Sequence, residues 1–134
     1  MNCKMKVAKK TVWIINYYSA PPKFTTHERH IKLARHLKAN NYNVVIVSAG
    51  FLSKEKVNLI DGYGLSSWKT YDGINFLHYR TLKYSKSYFL RIISIFLFSL
   101  ILGPKMYTHR PNTVLHNVHP PFDFMVTLYA KLFR

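Results

Sequence analysis

Thr11-Val12-Trp13-Ile14-Ile15-Asn16 and Val44-Val45-Ile46-Val47-Ser48-Ala49-Gly50 frame the part of the chain that decides the fold. Both are short, nearly continuous apolar runs that end in polar or small residues, as strands buried on both faces of a parallel sheet do. Between them, Ile31, Ala34 and Leu37, with Leu33 and Lys38 alongside, recur at helical spacing and form one apolar stripe. Thr25 or Thr26 is placed to cap that helix, and Glu28 falls in its first turn, where the dipole favours a carboxylate. Asn40-Asn41 ends it, because asparagine tolerates the left-handed conformation. Strand, helix and strand over about 40 residues make a βαβ unit with an expected right-handed crossover.

Outward from that unit, Pro21-Pro22 bars helix in the loop spanning residues 17–26. Residues 54–69 read as irregular, since Gly62, Gly64 and paired serines break any periodicity. Tyr71-Asp72-Gly73 marks a turn, and residues 74–80 alternate as a third strand. Residues 85–102 read as a helix stopped by Gly103-Pro104. Thr113-Val114-Leu115-His116 is a fourth short strand. Behind His119-Pro120-Pro121, the spacing of Phe122, Met125, Val126, Tyr129 and Leu132 or Phe133 predicts a closing amphipathic helix with proline allowed in its first turn. The alternation predicts one α/β domain, Rossmann-like, with a mostly parallel sheet and flanking helices. Ligands of such sheets bind beyond the carboxyl ends of the strands, so the loops at residues 17–26, 49–51 and 117–121 are the ones to watch.

A length of 134 residues suits one domain, and 49% apolar with 16% aromatic content excludes a disordered chain. Cys3 has no partner, which excludes a disulfide framework and fits a reducing compartment. The tail at residues 1–10 is basic, but the apolar run behind it, Val12-Trp13-Ile14-Ile15, is shorter than the about 7–15 residues of a secretory leader. A cytoplasmic location is expected. The net charge of +15 calls for a polyanion: nucleic acid, an anionic membrane or a phosphorylated substrate. Between Asp72 and Asp123 no acidic residue occurs, while Arg80, Lys83, Lys86, Arg91, Lys105 and Arg110 do. The same stretch holds the most apolar run, 14 residues from 89 to 102, short of the roughly 20 that a spanning helix needs.

Several chemistries find no support. His27-Glu28-Arg29-His30 has H-E-x-H spacing, whereas two histidines must stand at i and i+4 to share a zinc on a helix, so no metal site is expected. No glycine lies between Met1 and Asn43, which removes a dinucleotide or Walker fingerprint. Ser48 lacks a nucleophile elbow, and five acids supply paired carboxylates poorly. Basic and aromatic residues are abundant but follow no nucleic-acid motif, so nucleic acid is not the expected partner. Against this, Lys23, Arg29 and His30 gather at a helix N-terminus, where free N–H groups favour anions. His119 lies on the ligand side of the sheet, where an imidazole can bond a sugar hydroxyl or phosphate. His109 and His116 read as structural.

Asn16, Tyr18, Pro21, Pro22, Lys23 and Phe24, followed by Arg29-His30 opening a helix, resemble the start of family 4 glycosyltransferases. More narrowly, they are similar to the fucosamine-transferase-like group that builds bacterial O-antigen and capsule repeats. The likeness continues through residues 33–48, the Asp72-Gly73-Ile74 turn and the His119-Pro120 step, covering residues 11–134. It implies a retaining, metal-independent transfer of a sugar from a nucleotide-sugar donor to a polyprenyl-diphosphate-linked acceptor, without a cofactor. By the resemblance, Tyr18, Lys23, Phe24, Arg29 and His30 bind substrate and His119 touches the transferred sugar. Thr25-Thr26-His27-Glu28 stands where the family has a glycine-rich stretch. The family's fold is GT-B, with two Rossmann-like domains; the resemblance implies that this chain is an incomplete acceptor-side domain, that the donor domain is absent, and that alone it is inactive. It also implies attachment to the inner face of an anionic membrane through Lys86, Phe89, Arg91, Phe96 and Phe98. The same apolar run can instead be a helix buried between the sheet and a second domain. A small basic non-enzymatic protein that binds membrane or nucleic acid is the alternative that charge alone leaves open.

Overall fold

The structure, a computed structural model, describes residues 9–24, 28–84, 86–116 and 122–133. Its elements run β1 (Thr11–Ile15), α1 (Arg29–Ala39), β2 (Asn43–Ala49), β3 (Phe51–Leu52), β4 (Val57–Asn58), β5 (Ser66–Tyr71), β6 (Ile74–Tyr79), α2 (Tyr88–His109), β7 (Thr113–His116) and α3 (Asp123–Leu132). Five strands form one sheet in the order β5-β6-β2-β1-β7. Ile14 of β1 sits between Ile46 of β2 and Leu115 of β7, and Ile46 faces Phe76 of β6, all in parallel register. Among the described residues β5 is the one antiparallel strand of this sheet, and β3 pairs antiparallel with β4 in a separate two-stranded sheet. The molecule is thus α/β with a mostly parallel sheet and flanking helices, compatible with a Rossmann-like arrangement.

The continuous apolar runs behave as their pattern requires: alternate residues feed opposite cores. Ile14, Val44, Ile46, Ile74 and Phe76 meet Ile31 and Ala34 of α1 on one face. Trp13, Ile15, Val45, Val47, Leu77 and Tyr79 meet Ile95, Phe98, Leu102 and Met106 of α2 and Val126 of α3 on the other. Asn41, with φ 65°, takes the left-handed conformation expected at the end of α1.

Three expectations are corrected. Residues 66–69, read as irregular, and Tyr71, read as the start of a turn, belong to the edge strand β5. Asp72 and Gly73, with φ 51° and 76°, make the two-residue turn of a hairpin whose other arm is β6, so the turn is a strand-to-strand link. The edge position explains the weak signal: Trp68 is exposed, and the strand buries too little to alternate cleanly. Second, α2 does not stop at Gly103-Pro104 but runs 22 residues to His109. An interior proline costs about 3 kcal/mol. Beyond the expected stop, however, Met106 is fully buried, and its burial contributes about 1.5–3 kcal/mol. Gly103 is a packing residue, since a Cβ there would lie 2.9 Å from the Tyr129 ring of α3. Third, Glu28 takes the N-cap position of α1 and no acid occupies the first turn; its side chain makes no capping bond and lies 3.7 Å from Lys32 instead. Thr25 and Thr26 lie outside the described residues.

Candidate functional site

β1 runs on past its last ladder residue. Asn16 N–H donates to Val47 O at 3.0 Å, and Tyr17 O accepts from Ala49 N–H at 3.2 Å, so the chain leaves the sheet at its carboxyl edge only after Tyr17. Buried Asn16 then organises the loop. Its Oδ1 accepts from Tyr18 N–H at 3.1 Å, and its Nδ2 donates to the His30 ring, 3.2 Å from Nε2. This pair ties the first loop to the first turn of α1.

In the strand order, β2 and β6 lie to one side of β1 and β7 to the other, so the topology reverses between β1 and β7, where sheets of this class bind ligands. Arg29, His30 and Leu33 of α1 face Ile14, Leu115 and His116 there around a recess of about 120 Å³. His116, read as structural from the sequence, adds an imidazole to this recess. Its Nε2 is 3.4 Å from Thr127 Oγ1, and its buried Nδ1 has no hydrogen-bond partner among the described residues. Only the sheet order reveals it, because the paired residues Ile15 of β1 and His116 of β7 are 101 positions apart along the chain.

The other expected residues lie elsewhere. Tyr18 and Phe24 line a second cleft of about 270 Å³ with Tyr17, Ala20, Phe51 and Tyr84. Lys23 is exposed and its Nζ stands 5.6 Å from the Phe24 ring centroid. The substrate set read from the sequence is therefore divided between two recesses rather than gathered in one. His119 lies outside the described residues.

Buried hydroxyls back the second cleft. Tyr17 OH and Ser94 Oγ share a hydrogen bond of 2.8 Å that links the loop to α2, and burial pushes the Tyr17 phenol well above its ordinary pKa. Arg91, expected at lipid, donates from Nε to Tyr18 OH at 2.8 Å and lies over the same ring. Phe98, also expected at lipid, is a core residue in edge contact with Tyr17 and Tyr79, 5.3 and 5.6 Å away by ring centroids. The helical turn decides this: position 98 shares its face with Ile95, Leu102 and Met106. Lys86, Phe89 and Phe96 do remain exposed. By length and composition α2 could cross a membrane, yet 39% of its most apolar window is buried inside the fold.

Deeper in the sheet, Ser48 Oγ and His78 Nδ1 are 2.9 Å apart, with His78 Nε2 buried and unpartnered among the described residues. Burial, reinforced by Lys69, lowers the His78 pKa from 6.5 to about 4, so the imidazole is neutral. Among the described residues no group of three or more His, Cys, Asp or Glu side chains could hold a metal ion. Comparison with models of known families, with curated proteins and with solved structures finds no match to this chain.

Proposed function

We propose that the chain is the acceptor-side part of a GT-B glycosyltransferase of family 4, in the fucosamine-transferase-like group. It would act in building a surface polysaccharide, passing a sugar from a nucleotide-sugar donor to a polyprenyl-diphosphate-linked acceptor. The observation that carries the reading is the pairing of Arg29 and His30 with the point between β1 and β7 where the topology reverses. Two cationic or hydrogen-bonding side chains at a helix N-terminus suit a phosphate or a sugar hydroxyl. In this reading Arg29, His30 and Lys23 hold the acceptor, Tyr18 and Phe24 wall it, and His119 reaches the transferred sugar. In this reading the nucleotide sugar is held mainly by a second domain.

The outer side of α2 supports a place on the inner face of an anionic membrane. Tyr88, Phe89, Phe96, Leu100 and Tyr107 are exposed, beside Lys86, Arg91 and Lys105. Basic side chains near anionic lipid contribute about 1 kcal/mol each, and apolar ones enter the interface. This surface equally suits a non-enzymatic membrane-surface protein, which the test separates. Membranes from cells with the intact gene, with the gene deleted, and with Arg29→Ala and His30→Ala together are supplied with radiolabelled nucleotide sugars. The expected result is loss of label from the extractable lipid-linked fraction in both altered strains. Undiminished label in the deletion overturns the transferase reading and leaves the non-enzymatic one.

A further inference from the structure

β7 ends the sheet on the side opposite β5. It pairs with β1 and, among the described residues, with no other strand, so the N–H and C=O groups along its outer side meet no neighbouring ladder. Sheets commonly guard such edges with charge. β5, at the opposite edge, carries Lys69, whose Nζ lies 3.0 Å from Asp61. Thr113-Val114-Leu115-His116 of β7 includes no acid, lysine or arginine, and Leu115 is 39% exposed. We propose that this edge takes up an extended segment of another protein as a further strand, and that the segment has a short continuous apolar run with acidic flanks. The proposal does not rest on the transferase reading.

The apolar run follows from the two faces beside β7. Leu115, opposite Ile14 in the ladder, lines the recess of about 120 Å³ together with Leu33 of α1. No β7 residue belongs to the apolar cluster of Ile14, Ile31 and Ala34 beneath α1, so that helix leaves this side of the strand open. Val114, one position back and therefore on the other face, lines a cavity of about 230 Å³ with Met106, Ala130 and Phe133. Apolar cavities of about 150 Å³ admit a small hydrocarbon. Successive residues of an added strand point to opposite faces, so one comes beside Leu115 and the next beside Val114. Recesses on both faces call for a continuous apolar run rather than an alternating one, as in any strand buried on both sides.

The acidic flanks follow from charge. Arg110 directly precedes Pro111 and Asn112 of that cavity, and Lys131 directly follows Ala130. Both are exposed, and neither pairs with a carboxylate among the described residues. A second copy of this chain, itself at +15, would bring more positive charge to the edge, whereas acidic flanks neutralise it. In strand addition of this kind the main-chain hydrogen bonds give affinity and the side-chain recesses give selectivity.

The test titrates the full chain with a fluorescein-labelled peptide, acetyl-Glu-Glu-Val-Ile-Val-Val-Glu-Glu-amide, followed by anisotropy, and maps the contact by hydrogen exchange. Saturable binding is expected, with slowed exchange at residues 113–116 and unchanged exchange at 66–71. The same peptide with its isoleucine replaced by proline, which cannot continue a ladder, should bind about tenfold or more weakly. A lysine-flanked version should also bind more weakly. Arg110→Gln with Lys131→Gln, which alters only exposed side chains, should weaken the acidic peptide several-fold and narrow its lead over the lysine-flanked one. Leu115→Ser should weaken it too, with unchanged circular dichroism as the check on folding. No saturable binding, equal binding of the proline peptide, or slowed exchange confined to β5 overturns the proposal. Equal binding of the acidic and lysine-flanked peptides overturns its acidic flanks. Slowed exchange at 113–116 that develops with chain concentration alone gives the edge to a second copy and overturns the foreign strand. Each of these outcomes leaves the transferase reading to its own labelling experiment.

Discussion

The two faces of the sheet are covered by helices of opposite character. α1 buries Ile31 and Ala34 and turns Lys32, Arg35 and His36 outward, so that among its residues Leu33 is the one exposed large apolar side chain. α2 buries Ile95, Phe98, Leu102 and Met106, yet its outer side still shows Tyr88, Phe89, Phe96, Leu100 and Tyr107. A helix that is apolar beyond the face its sheet can cover needs a second apolar environment. The same sheet thus makes one helix a closed structural layer and the other a layer with surface left over for a partner.

The largest test of this contrast is within α2. Leu102→Ala, at a fully buried position, should lower stability by about 2–5 kcal/mol, whereas Leu100→Ala, 42% exposed, should stay within about 0.5 kcal/mol. Urea unfolding reads both, and equal costs would break the claim that α2 has an inner and an outer side. A second test probes the α1 face, where the buried polar pair Ser48–His78 sits. The His78 pKa is about 4 in the fold against an ordinary 6.5, so below pH 6.5 the unfolded chain takes up a proton that the folded one refuses. This stability is fully present above pH 6.5 and is lost as the pH falls to about 4, amounting to about 3 kcal/mol at most. His78→Phe should flatten that part of the pH profile, and an unaltered slope would remove His78 as its source. The smallest stability effect is expected on the outer face. Phe89→Ser should leave the urea midpoint within experimental scatter while reducing retention on anionic vesicles. Full retention would show that this surface serves something other than lipid.

Legibility from the sequence followed the strength of local pattern. β1, α1 and β2 could be read because each is over-determined: β-branched runs, a 3.6-residue stripe and an asparagine end agree with one another. β5 could not, since a strand at the sheet edge buries little. The Asp72-Gly73 pair was the available clue, for an Asp-Gly step between alternating stretches is a hairpin signal in its own right. The end of α2 was misread for the converse reason. Gly103-Pro104 is a local stop, and it was overruled by the burial of Met106 in the core and by the packing of Tyr129, which lies far along the chain, against Gly103.

Candidate site residues divide along the same line. Asn16, Arg29 and His30 were legible because they belong to the turn between a buried strand and an amphipathic helix, all within 15 positions. His116 was not, because the neighbours that give it meaning come from distant parts of the chain. Hydrophobic period and turn chemistry act between residues a few positions apart, so they suffice to specify an α/β chain with a parallel core and an excess of positive charge. Strand order, the inward turn of Phe98, the capture of Arg91 by Tyr18 and the division of the expected substrate-binding residues between two recesses are different. They depend on which distant surfaces pack together, and that is settled by the summed burial of two cores rather than by any one segment.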